Sequence, residues 1–131
     1  MMNMKSRWID FEGKPNRTSK VEPRVTLDGK GVILLNYRAC EALKTPAAVS
    51  LHFDEHERVI GLKPVDARHR NAFPLKPKKK VTFRLISAAP FCRHFKIKIN
   101  GTVVFNDLDI DNEGVMLLPL RSATLVGRGH W

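Results

Sequence analysis

The chain has 131 residues, 43% hydrophobic and 27% charged, a globular balance that supplies one core and argues against both a multidomain enzyme and a wholly disordered chain. Its longest apolar runs, residues 32–35 and 115–118, fall far short of the roughly 20 residues of a membrane helix, and no apolar leader follows Met1, so no membrane partner is expected. Lys and Arg total 23 against 13 acids, a net charge of +10, and the two cysteines, Cys40 and Cys92, are too few for a disulfide framework, which makes reduced thiols and a cytoplasmic location the expectation.

Residues 1–23 mix Asn, Lys, Ser, Gly and Pro without a sustained period and read as a poorly ordered arm, with Trp8, Ile9 and Phe11 as a docking point. A first unit occupies residues 24–64. In it Val25 and Leu27 alternate with polar residues, Asp28-Gly29-Lys30-Gly31 supplies a turn, and residues 32–35 form a β-type apolar run. Asn36 is an N-cap for a short helix through Leu43, with Tyr37, Cys40 and Leu43 on one face, and Thr45-Pro46 closes it. Val49, Leu51 and Phe53 then alternate inward, residues 54–58 turn the chain, and Val59, Ile60 and Leu62 return, which predicts a β-hairpin ending at Pro64.

Residues 65–80 are polar, basic and carry Pro74 and Pro77, the composition of an extended linker. The same grammar returns over residues 81–120: a strand at 81–86, a Ser87-capped helix through Phe95, strands at 96–99 and 102–106 joined by Asn100-Gly101, and a last strand at 115–120. Residues 121–131 are left as a tail. Aligning Cys40 with Cys92 also superposes Leu43 on Phe95 and Lys44 on Lys96. The expectation is a mostly β fold with short helices, built from two strand-helix-hairpin units that share one core, because a repeat this short cannot bury its own apolar face. The residues expected inside are Leu35, Leu43, Val49, Leu51, Phe53, Ile60, Phe83, Leu85, Phe95, Val104, Val115 and Leu117.

The charge is not spread evenly. Between Lys63 and Lys98 lie 11 basic residues and one acid, Asp66, so this block alone carries +10 and the remainder is neutral. A directional positive field of this kind raises encounter rates with polyanions and releases their counterions on binding. Nucleic acid is the expected partner, against the plainer alternative of a solvated, solubilising linker.

The stretch VTLDGKGVILLNYRACEALKTPAAVSLHFDEHERVIGLKP, residues 25–64, resembles the AbrB/SpoVT-type swapped-hairpin regulators, in which a strand, a D-x-x-G turn, an apolar strand, a short helix and a β-hairpin follow in this order. Asp28, Gly31, Ile33, Leu35, Ala42 and Leu43 fall on the turn and core positions of that pattern. The resemblance implies a β-barrel-like fold, DNA binding in a transcriptional regulator or antitoxin, and intertwining of two copies, either as a homodimer or, as in the related MraZ proteins, within one chain. Val32 stands where the pattern commonly has a basic residue and Asn36 where it commonly has proline, which leaves Arg24, Lys30 and Arg38 as the first unit's phosphate contacts. From the second half and the linker, Lys76, Lys78, Lys79, Lys80, Arg84, Arg93, Lys96 and Lys98 join them.

Other motifs give way to simpler readings. The segment His52-Phe53-Asp54-Glu55-His56 matches H-x-x-E-H, but the zinc site of that motif needs a helix, and the period here is that of a strand and turn. Asp107, Asp109 and Asp111 with Gly114 lack the glycine and the distal Glu of a calcium loop and read as an acidic strand edge. Cys40 and Cys92 read as core residues. With neither a nucleophile-base set nor a phosphate loop, no enzyme, metal or cofactor is expected. DNA is placed ahead of RNA because the basic block lacks interleaved stacking aromatics, and a protein-interaction or assembly module is the alternative function.

Overall fold

The structure is a computed structural model that describes residues 22–78 and 83–127. The chain is mostly β, with two short helices, and its strands form two open antiparallel sheets and not the closed barrel implied by the resemblance. No helix among the described residues is long and apolar enough to cross a membrane.

Strands β1 (Val25–Asp28) and β2 (Val32–Leu35) pair as a hairpin with Val25 opposite Leu35 and Leu27 opposite Ile33, four side chains that are fully buried. The hairpin closes on Asp28, whose Oδ1 accepts from the amides of Lys30 and Val32 while its carbonyl accepts from Gly31 at φ +82°. Helix α1 (Tyr37–Ala42) follows, capped by Asn36 Oδ1 accepting from the Ala39 amide at 2.9 Å. Strands β3 (Ala48–Asp54) and β4 (Val59–Val65) pair in full, from Ala48 opposite Val65 to Asp54 opposite Val59, as their alternation predicts.

The stretch expected to be a bare linker instead forms two short strands, one in each sheet. Strand β5 (Phe73–Pro74) adds to β3 and strand β6 (Lys76–Pro77) adds to strand β7 (Arg84–Ser87), so the chain changes sheets at Leu75. Both are edge strands, where proline's missing donor leaves no inner ladder broken. Lys79, Lys80 and the start of the strand expected from Val81 lie outside the described residues, as do the arm's Trp8, Ile9 and Phe11.

Helix α2 (Ala89–His94) lies 52 positions after α1, as the alignment of Cys40 with Cys92 requires, but its N-cap is Ala88 without a side-chain cap bond and not Ser87. Strands β2 and β7 pair as Val32 with Ser87, Ile33 with Ile86, Leu34 with Leu85 and Leu35 with Arg84. Shifting each partner by the same 52 positions turns the first pair into the fourth and the second into the third, so the two units meet about a local two-fold relation. Residues of both units share one buried cluster, and Phe53 of the first packs on Phe91 and Phe95 of the second at 6.2 and 5.1 Å between ring centroids.

The second unit then departs from the first. Residues 96–99 form no strand: Lys96 takes φ +57° as the left-handed residue after α2, and the Ile97 amide is spent on the Cys92 carbonyl at 2.9 Å. Asn100-Gly101 therefore closes no hairpin. Strand β8 (Thr102–Val104) pairs with β1 instead, strands β9 (Asp109–Ile110) and β10 (Met116–Pro119) form the second hairpin with β10 against β4, and strand β11 (Thr124–Gly127), within the expected tail, covers β8. The sheet orders are β9-β10-β4-β3-β5 and β11-β8-β1-β2-β7-β6.

Leu35, Leu43, Val49 and Ile60 are buried as expected, whereas Leu51, Phe53 and Phe95 are half-buried at the margin of the core. In the second unit the inward phase is shifted by one residue: Ile86, Phe105, Met116 and Leu118 are buried, and Leu85, Val104, Val115 and Leu117 are only half-buried, as is Phe83. Apolar residues stand on both faces of these strands, so only pairing, Ile86 opposite Ile33 and Leu118 opposite Ile60, sets which face turns in.

Candidate nucleic-acid interface

Lys30, from the β1–β2 turn, and Arg93, Lys96 and Lys98, from the end of α2 and the residues that follow it, surround one open hollow of about 580 Å³. Its floor is the Gly29–Gly31 backbone, Ala89, Cys92, Ile97 and Ile99, and among the described residues no acidic side chain lines it. Glycine is needed at Gly31 because a Cβ there would sit 2.6 Å from the Ala89 Cα, in addition to the positive φ. The Gly31 carbonyl also accepts from the Ala88 amide at 2.8 Å, which seats the turn on the start of α2 and brings Lys30 to the side of Arg93. On the far wall, the left-handed turn at Lys96 redirects the chain so that Lys96 and Lys98 are exposed on the hollow while Ile97 is buried beneath it.

The charged side chains that line the hollow among the described residues are all cationic, and the Asp28 carboxylate lies near its Cys92 thiol. Among the described residues the ion pairs are Arg38 with Glu41 and Arg68 with Asp66, and neither takes a charge from the hollow. The Cys92 thiol adds no negative charge: burial pushes its pKa above the ordinary value, and the nearby Asp28 carboxylate acts in the same direction.

Of the remaining basic residues singled out from the sequence, Lys79 and Lys80 are outside the described residues and the others lie elsewhere. Arg24 and Lys78 flank a groove of about 350 Å³ on the outer face of the six-stranded sheet, floored by Val32, Leu34, Phe83 and Leu85. Lys76 is exposed on the edge strand β6. Arg38 is engaged with Glu41 at 3.1 Å and lies 5.3 Å from the Tyr37 ring centroid. Arg84 is half-buried, donates to the Phe83 carbonyl at 3.1 Å, and its charge partly offsets the burial that raises the Cys40 thiol pKa. Of the 63–98 block, Arg93, Lys96 and Lys98 line the hollow and Lys78 the outer groove, while Lys76 and Arg84 line neither and Arg68 is tied to Asp66.

Two arginines that the sequence did not single out, Arg58 and Arg121, line a second hollow of about 270 Å³ that shares Ile97, Lys98 and Ile99 with the first. Both lie outside the 63–98 block, and nothing in their local sequence marks them: Arg58 ends a hairpin turn and Arg121 follows β10.

The H-x-x-E-H segment spans the end of β3 and its turn. His52 bonds Ser50 Oγ at 2.8 Å and His56 is almost fully exposed, so the two imidazoles share no helix face. The acidic segment carries a second D-x-x-G turn with the backbone pattern of the first: Asp111 Oδ1 accepts from the amides of Glu113 and Val115, and Gly114 has φ +82°. Glu113 stands there where Lys30 stands in the first turn.

Comparison with family models, with curated proteins and with solved structures gives no match to this chain.

Proposed function

We propose that the protein is a non-enzymatic nucleic-acid-binding protein, a DNA-binding regulator or antitoxin-like module, that grips the phosphate backbone in the hollow of Lys30, Arg93, Lys96 and Lys98. The observation that carries this reading is the convergence of Lys30 with the distant stretch that carries Arg93, Lys96 and Lys98 on one concave surface that, among the described residues, no acidic side chain lines. Its floor is aliphatic and backbone, which suits backbone contacts and offers no ring for a base to stack on, so positioning dominates over base reading. That favours duplex DNA over single-stranded RNA. The order of β1, β2, α1, β3 and β4 is the element order of the swapped-hairpin resemblance, although the sheets are open where the resemblance implies a closed barrel.

The test is a titration of the full chain with duplex DNA over a range of salt. Binding should fall steeply with salt, and Lys30→Gln with Arg93→Gln should flatten the log–log slope by about 0.9 per lost phosphate contact, equally on unrelated sequences. Failure of the parent protein to bind duplex DNA, single strands or RNA at low salt would overturn the reading.

A second reading, an assembly module, is favoured by the exposed acidic hairpin at Asp107, Asp109, Asp111 and Glu113, on the edge of the five-stranded sheet and opposite in sign to the hollow. It predicts salt-sensitive self-association in sedimentation experiments without nucleic acid.

A further inference from the structure

We propose that Arg58 and Arg121 form a second phosphate subsite, continuous with the first hollow, so that a bound strand is followed over successive backbone positions and not held at one point. This rests on the nucleic-acid reading of the first hollow. The two hollows share the segment from Ile97 to Ile99, and Lys98 lines both, so a backbone leaving the first passes directly into the second. Neither arginine is in an ion pair among the described residues.

Both arginines are held in place before any ligand arrives. The Arg58 guanidinium lies 5.1 Å from the Phe53 ring centroid, and Phe53 in turn packs on Phe95 of the second unit. The Arg58 backbone sits at φ +61°, and its carbonyl accepts from the Leu120 amide at 2.9 Å, which ties the β3–β4 turn to the residue before Arg121. Arg121 spends one Nη2 donor on the His56 carbonyl at 3.0 Å. The rest of its planar fork remains available, and such a fork matches two phosphate oxygens at once. Preorganisation lowers the ordering cost of binding. The aliphatic floor of Val103, Leu120 and Ala123 again provides no stacking ring, so the subsite takes phosphate and not base.

The experiment compares the full chain with Arg121→Gln, with Arg58→Gln plus Arg121→Gln, and with Lys30→Gln plus Arg93→Gln, on duplex DNA of one length across a salt series. Thermal midpoints are measured alongside. The double arginine variant should weaken binding roughly tenfold and flatten the salt slope by up to about 0.9 for each of its two contacts, irrespective of sequence. Arg121 is exposed, so Arg121→Gln alone should give part of this loss with an unchanged midpoint even where losing Arg58 from the Phe53 ring lowers stability. If the Lys30/Arg93 variant loses affinity while both arginine variants keep the parental slope and affinity, the second subsite is wrong and the first hollow stands. If the parent binds no polyanion, both fall.

Discussion

The amide of Gly29 donates to the carbonyl of Gly101 at 2.9 Å, and this bond places the turn that carries Lys30 against the segment that carries Lys96 and Lys98. The approach is close: a Cβ on Gly29 would stand 2.6 Å from the Ile99 carbonyl oxygen. The hollow is therefore set by backbone contact between the two turns, and its lysines inherit their separation from it.

Gly31 and Gly114 provide a matched pair. Both take φ +82° in D-x-x-G turns, but a Cβ on Gly31 would meet the Ala89 backbone at 2.6 Å and one on Gly114 would meet nothing within 4 Å. Gly114→Ala should cost only the left-handed backbone penalty, about 1 kcal/mol. Gly31→Ala should add displacement of α2 and cost on the order of 2–4 kcal/mol. Denaturant midpoints of the two variants check this, and equal losses would contradict it.

Lys96 combines a left-handed backbone with a place on the hollow. Lys96→Gly should raise stability, by up to about 1 kcal/mol, because glycine adopts this conformation without a Cβ penalty. The same change should weaken duplex binding. Lys96→Gln, which keeps the backbone strain, should weaken binding to the same extent with stability nearly unchanged. Thermal melts paired with binding titrations separate the two effects.

Asn36 is a buried polar residue whose side chain makes three hydrogen bonds. Its Oδ1 accepts from the amides of Ala39 and Arg24, each at 2.9 Å, and its Nδ2 donates to the Glu22 carbonyl at 2.8 Å. It caps α1 and fastens the entry to β1 at once. Asn36→Ala should cost about 2–3 kcal/mol, the loss of a cap together with a part-buried amide left unpaired. Equilibrium unfolding measures it, and a loss below about 0.5 kcal/mol would be the range of a plain surface substitution.

Both thiols have pKa values raised chiefly by burial, Cys92 further by Asp28 and Cys40 partly offset by Arg84. In the unfolded chain they ionise at about pH 8.5, before the folded chain does, so the native state holds more protons there. The stability this contributes is fully present below that pH and is lost as pH rises through the folded-state values. Unfolding free energy should therefore decline above about pH 8.5, and a Cys40→Ala, Cys92→Ala variant should decline less. Thiol reagents at neutral pH should label the native protein slowly and the unfolded protein fast.

The sequence by itself determined the mostly β class, the D-x-x-G hairpin, the Asn36 cap, the β3–β4 hairpin and the spacing of the two cysteine-bearing helices. The turn, the cap and the hairpin are each written within a few residues, in turn chemistry or in a period of two. It also marked Lys30, Arg93, Lys96 and Lys98, through the basic block and the resemblance. Only the tertiary structure decided that Lys30 meets the stretch of Arg93, Lys96 and Lys98, and that Arg58 and Arg121 line the adjoining hollow. The inward phase of β7 and β10 was decided there too, because Leu85 and Ile86, or Leu117 and Leu118, are equally apolar and only their registers against β2 and β4 choose between them. The Asn100-Gly101 hairpin failed for a related reason: Lys96 turns left-handed to close α2, the Ile97 amide is taken by Cys92, and β8 finds its ladder on β1. Competition for backbone donors between distant segments leaves no trace in the local pattern of residues.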